Sequence, residues 1–217
     1  PWPDATDGTA VVFHAWTASV HWIDRIDETD RTLRFTAGSG WPMGYWEKNQ
    51  RYYIENVRAA LDAPGEWYVS YAERRLYYKP LPGERLAGFR AIVPRLGTVL
   101  ELRGDAAAGI YVEHMEFRGL ALAHTAFLLP RDRCQDGQAA VSVGSAVVTQ
   151  GAMNCRFEGL DISRVGGYGL HLGAGTRNCT VTRSEIHDLG AGGVLVGTVG
   201  NEPPATACYG NTVDNCF

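Results

Sequence analysis

The chain has 217 residues, 45% hydrophobic and 20% charged, a balance that excludes disorder as its main state. Twenty lysines and arginines against 24 aspartates and glutamates leave a formal charge of −4. That gives no electrostatic footprint for nucleic acid or an anionic membrane, and no apolar run approaches the roughly 18 residues of a membrane span. Glycine is over-represented, at 26 residues. The sequence starts at Pro1-Trp2-Pro3 with neither initiator Met nor signal peptide and stops at Asn215-Cys216-Phe217 inside an expected strand, so it reads as a piece of a longer protein. Five cysteines without a CxxC pair suggest neither a disulfide framework nor a structural zinc site.

Residues 1–104 read as an aromatic-rich β-hairpin domain. Thr9–Trp16 alternates and is β-branched; Ser19–Asp27 and Arg31–Thr36 flank the turn Asp27-Glu28-Thr29-Asp30 as a hairpin. Asn56 is placed to cap a short helix, Val57–Leu61, before the breaker Pro64-Gly65. A second hairpin joins Glu66–Ser70 to Arg75–Lys79, and Thr98–Leu102 reads as a further strand. Five of the six tryptophans fall between Trp16 and Trp67. The plainer expectation is that they fill a small core and pair across hairpins; the other is that they stack on sugar rings.

Residues 105–217 contain a repeat. At a shift of 24, Cys155 meets Cys179, Phe157 meets Val181, Ile162 meets Ile186 and Gly166 meets Gly190; Leu170 meets Val194 and Leu172 meets Val196. An earlier copy, Phe117–Leu122, lies 40 residues before Phe157–Ile162, the excess falling in a loop within Thr125–Gln150. A later copy starts at Thr212-Val213, 32 residues after Thr180-Val181, the excess falling in Thr198–Gly210. Three short alternating runs per period, separated by Gly, Asn or Asp, predict coils of a parallel β-helix solenoid. The glycine-rich stretch Ser163–Gly175 excludes the amphipathic helices that a βαβ fold requires. The fold expectation is all-β, with ~24-residue coils stacked about 4.8 Å apart.

The string Asp188-Leu189-Gly190-Ala191-Gly192-Gly193-Val194, together with Pro64-Gly65-Glu66-Trp67-Tyr68 and Leu76-Tyr77-Tyr78-Lys79-Pro80, resembles right-handed parallel β-helix proteins of carbohydrate-degrading bacteria. Specifically it is similar to glycoside hydrolase family one hundred and forty-one and its relatives. The resemblance covers nearly the whole chain. It implies a right-handed β-helix with a β-rich insertion before it, and an extracellular or periplasmic bacterial location. It also implies activity on plant or algal polysaccharide, as in α-L-fucosidases and xylan-acting enzymes. The family's coils continue past the position of Phe217, so some catalytic groups could lie in coils absent here. No cofactor is implied, the partner is a polysaccharide or oligosaccharide, and the protein is expected to act as a monomer.

Alternation supplies the candidate residues. With Ile162 and Ile186 inward, Asp161 and Glu185 form an outward carboxylate ladder, the pairing that glycoside hydrolysis uses as acid and nucleophile or base. A solvated exterior pair, tempered by Arg164 and Arg183, is the bland alternative. Ser163 and His187 also point outward by parity, followed by His124, Arg164 and Asp188. Asp188 is the leading candidate for catalysis, with Glu185 and Asp161 beside it; His187, His171 and Arg164 are candidates for substrate contact. Cys155 and Cys179 face inward as a thiol ladder, though stacked Cα atoms also permit a disulfide. Two alternatives to a hydrolase stand. One is a polysaccharide lyase using Arg164 or Arg183 as base with a Ca²⁺ held by clustered Asp, for which no dense Asp cluster is present; the other is a non-catalytic glycan-binding or structural solenoid.

Overall fold

A 24-residue period can repeat in three dimensions only if each pass of the chain has the same perimeter as the last, and the backbone pairings show that it does. The computed structural model describes residues 2–135 and 137–217. They divide into two compact units: residues 1–91 with Leu129–Ser142, and Ile92–Leu128 with Val143–Phe217.

In the second unit the chain visits the same sheets in the same order on every circuit. One parallel sheet stacks Leu100–Arg103, Ser145–Gln150, Tyr168–Leu172 and Val194–Val196. Another stacks Glu116–Arg118, Arg156–Glu158, Thr180–Thr182 and Thr212–Asp214. A third stacks Ala121–Thr125, Asp161–Val165 and Glu185–Leu189. The registers match the repeat read from sequence: Phe117 stands over Phe157 and Phe157 over Val181, Ile162 over Ile186, Leu170 over Val194. Phe117 and Phe157 stack with ring centroids 5.3 Å apart and planes 9° from parallel. The apolar interior runs through Leu102, Val147, Phe157, Leu160, Ile162, Leu170, Leu172, Val181 and Ile186. Cys155 and Cys179 lie buried within it as free thiols, and burial pushes the Cys179 thiol up to about 11.

Corners between the sheets are made by left-handed residues that themselves stack. His114, Asn154 and Asn178 form one such column, with φ between 53° and 57°. Gly119, Gly159, Arg183 and Asn215 form a second, and a further left-handed column, His124, Arg164 and Asp188, lies within the strands of the third sheet near their C-terminal ends. A left-handed residue turns the strand sharply at a cost that Asn and Gly bear best; here Arg164, Arg183 and Asp188 also adopt it. Ser163, expected to face outward, is 1% exposed, lying on the middle strand of its sheet in register with the exposed His187.

Gly166 and Gly190 occupy equivalent positions where backbones touch. A Cβ on Gly166 would meet the Phe127 amide nitrogen at 2.1 Å, and one on Gly190 would meet the Gly166 carbonyl oxygen at 2.4 Å. The second loop, between Val196 and Thr212, is held by Arg177. Its guanidinium lies against the rings of Tyr111 and Tyr209 and donates to the carbonyls of Pro204 and Ala205.

The first unit holds a four-stranded antiparallel sheet in the order Thr32–Phe35, Ala18–Asp27, Thr9–Phe13, Tyr52–Glu55. It also holds the hairpin Trp67–Ser70 with Arg75–Tyr78. Both hairpins match the sequence expectation. Three expectations need correction. The division expected at residue 104 falls after residue 91, because Leu100–Arg103 is a rung of the parallel stack, paired with Ser145–Gln150. The first unit instead regains Leu129–Ser142, whose Gln135 bridges Val20 and whose Leu129 carbonyl accepts from the Trp22 indole. Asn56 caps nothing: the 3-10 turn Arg58–Ala60 has no side-chain cap. Asn56 sits at φ 56° and its amide ties Asp7 to Val69, donating to both carbonyls and accepting from the Val69 N–H. Finally, Trp2, Trp16, Trp46 and Trp67 are all more than 40% exposed, so the tryptophans do not form the core, which is built from Ala10, Val11, Val12, Ile23 and Tyr68.

Two outcomes test these arguments. Gly166→Ala should lose about 2–3 kcal/mol of stability through the backbone clash, measured by chemical denaturation, while Gly144→Ala, where a Cβ meets nothing within 4 Å, should be near neutral. The second concerns Tyr68, whose hydroxyl donates to Asp7 at 2.6 Å. Burial, followed by that hydrogen bond, pushes its phenol up to about 12. A folded pKa above the unfolded value of about 10 gives stability that is complete below pH 10 and lost between pH 10 and 12. The denaturation midpoint should therefore fall more steeply over that interval in the wild type than in Tyr68→Phe.

Candidate active site

The third parallel sheet presents its outward side chains in register, so chemistry can accumulate along it. Asp161 stands over Glu185 and Ser163 over His187. Both carboxylates are exposed, as the parity of Ile162 and Ile186 requires. Asp188 follows at φ 52°. That left-handed turn brings its carboxylate back to the preceding ring: His187 Nδ1 lies 3.1 Å from Asp188 Oδ2. Since a carboxylate only accepts, Nδ1 carries the hydrogen and donates. The other nitrogen, Nε2, lies 3.6 Å from Asp161 Oδ1.

One imidazole therefore stands between two carboxylates, oriented by Asp188 and facing Asp161 from the neighbouring circuit. With Nδ1–H committed to Asp188, Nε2 is the position that takes or gives a proton. The side chains of His187, Asp161 and Asp188 are 48%, 54% and 65% exposed, so these contacts add little stability and leave every group open to a ligand. The Glu185 side chain makes no hydrogen bond or ion pair among the described residues, so it is available to a ligand from its place beside Asp161.

Four of the six candidate residues are thus brought together: Asp161, Glu185, His187 and Asp188. The remaining two are not. Arg164, at φ 50°, is exposed and forms no ion pair with Asp188. His171 lies on a different sheet, and its Nε2–H donates to the Gly197 carbonyl at 2.7 Å; that nitrogen is committed to the next circuit instead of a sugar. Arg183, expected to temper Asp161 and Glu185, turns to Glu158. Sequence reasoning missed that carboxylate. Glu158 is 7% exposed and lies against Arg156 at 2.6 Å, Arg118 at 3.4 Å and Arg183. Three guanidiniums from three successive circuits meet there around one nearly buried acid. The signal was present in the 40- and 24-residue shifts, which place Arg118, Glu158 and Thr182 in one column. Among the described residues no cluster of three His, Cys, Asp or Glu side chains is arranged to hold a metal ion.

No family model matches the chain, and no curated protein matches it. A solved structure described as "Glycoside hydrolase" superimposes with a TM-score of 0.80 at 20% identity, over 98% of this chain and 44% of that chain. The likeness is one of fold, and the chain spans less than half the length of that solved protein.

Proposed function

We propose that the chain belongs to a right-handed parallel β-helix glycoside hydrolase acting on plant or algal polysaccharide or its oligosaccharides. The observation that carries this reading is the outward register of Asp161 over Glu185, with His187 held between Asp161 and Asp188. Two carboxylates on adjacent rungs supply what glycosidic cleavage needs: one protonates the leaving oxygen while the other stabilises or attacks the oxocarbenium-like centre. Asp188 fixes the imidazole through Nδ1, and Nε2 relays a proton to or from Asp161. The likeness in fold to a solved glycoside hydrolase supports the reading. No cofactor enters it, and action outside the cytoplasm, by a monomer, accords with a polymeric substrate.

Incubation of the protein with plant and algal polysaccharides, followed by chromatography and ultraviolet absorbance, tests it. Saturated sugars are expected, and Asp161→Asn and Glu185→Gln should each lower kcat by about 10²-fold or more, with His187→Ala lowering it about 10–10²-fold. Wild-type release by either carboxylate variant would remove the site. Unsaturated products would move the chemistry to a lyase, for which Arg164 is exposed and, among the described residues, without a side-chain partner. Saturable binding with no turnover would mark a glycan-binding solenoid.

A further inference from the structure

The first unit carries an unexplained pair of like charges. Arg25 and Arg34 are direct cross-strand partners in the antiparallel sheet. Like charges directly opposite each other destabilise a strand pair. Here neither guanidinium has a hydrogen bond or ion pair among the described residues, and both are exposed. Both also line one cleft of about 580 Å³, with Asp24, Thr36, Ser39 and Trp41. An anion between the two forks would turn the repulsion into attraction, because guanidinium donors match a carboxylate or sulfate in pairs.

The wall of that cleft indicates what carries the anion. Trp41 packs against Trp46, with centroids 5.9 Å apart, and Trp46 against Trp16, 4.9 Å apart. Trp16 is 55% and Trp46 44% exposed. Three indoles form a continuous aromatic surface that runs out of the charged cleft. Indole faces are costly to leave in water, and the apolar C–H faces of pyranose rings fit them. A simple anion site would need no such surface, and a neutral glycan platform would need no arginine pair.

We infer that the first unit holds a saccharide-binding site separate from the carboxylate ladder. Arg25 and Arg34 grip the acid group of an anionic sugar beside Trp41, and Trp46 and Trp16 stack on adjoining rings. The inference rests on the carbohydrate-active reading for its ligand class, but it is read by binding and not by turnover. Asp24, on the same cleft, is placed to accept from sugar hydroxyls.

Titration calorimetry and tryptophan fluorescence of the 217-residue chain test it with three probes: trigalacturonate, a sulfated galactan disaccharide and neutral xylotriose. At least one anionic probe should bind ten-fold or more tightly than xylotriose, quench tryptophan emission and weaken as salt rises. The tighter of the two identifies the acid as carboxylate or sulfate. Arg34→Gln and Trp41→Ala should each weaken that probe by ten-fold or more, with circular dichroism verifying the fold, and Arg34→Lys should fall between. Glu185→Gln and Asp161→Asn should leave binding unchanged. Equal affinity for xylotriose, binding that survives Arg25→Gln and Arg34→Gln, or binding lost in Glu185→Gln would each overturn the inference. Absence of turnover would defeat the hydrolase reading and leave this result standing.

Discussion

Parallel stacking in strict register is the constraint on which the second unit depends. Each backbone strand bonds to its equivalent one circuit away, so every residue faces its own counterpart across about 4.8 Å. Interior positions must then tolerate their own kind, and Phe117 on Phe157, or Ile162 on Ile186, does so. Corners must repeat as well. The left-handed columns at His124, Arg164 and Asp188, and at Gly119, Gly159, Arg183 and Asn215, keep successive circuits the same shape. Gly166 and Gly190 show how strict this is, since one Cβ there would enter neighbouring backbone.

The same rule makes the exterior chemically rich and electrostatically awkward. An outward column places like residues together unless the sequence intervenes, and two adjacent columns answer differently. At Glu158 the answer is neutralisation: Arg118, Arg156 and Arg183 surround one nearly buried carboxylate, a geometry that consumes the charge. At Asp161 and Glu185 no arginine intervenes. A histidine does, its Nδ1 held against Asp188. The first arrangement is suited to holding the stacked strands together, and the second carries the proton transfer of the proposed function.

How much of this the sequence reveals follows from the physics of each part. Register is legible because it is written as a repeat: shifts of 24, 40 and 32 recover the observed rungs. Outward parity is legible for Asp161 and Glu185, where alternation is undisturbed. Parity does not give the exposure of Ser163, which is 1% exposed on the middle strand of its sheet while its counterpart His187, on the edge strand, is exposed, and a positive φ on Arg has no compositional signature. Asn56 looked like a helix cap because its short amide can serve one; its true partners, Asp7 and Val69, are distant in sequence. The unit boundary was misjudged for a similar reason. Leu129–Ser142 leaves the parallel stack to rejoin the first unit, and a pairing such as Val20 with Gln135 cannot be read from local pattern.

Like charges in register recur in both units, and the recurrence is informative. Asp161 over Glu185 and Arg25 opposite Arg34 each violate the rule that neighbouring strands pair opposite signs. Folding alone favours replacing one member of either pair, since both positions are exposed and tolerate substitution. A local conflict that lowers stability without improving packing marks a place where some requirement other than folding sets the residue. The two conflicts have opposite sign and different surroundings: carboxylates around an orientable imidazole in one unit, guanidiniums beside stacked indoles in the other. Under the proposed function, the first arrangement serves the bond to be broken and the second the acidic sugar to be held, so each conflict with folding has its own counterpart in the proposal.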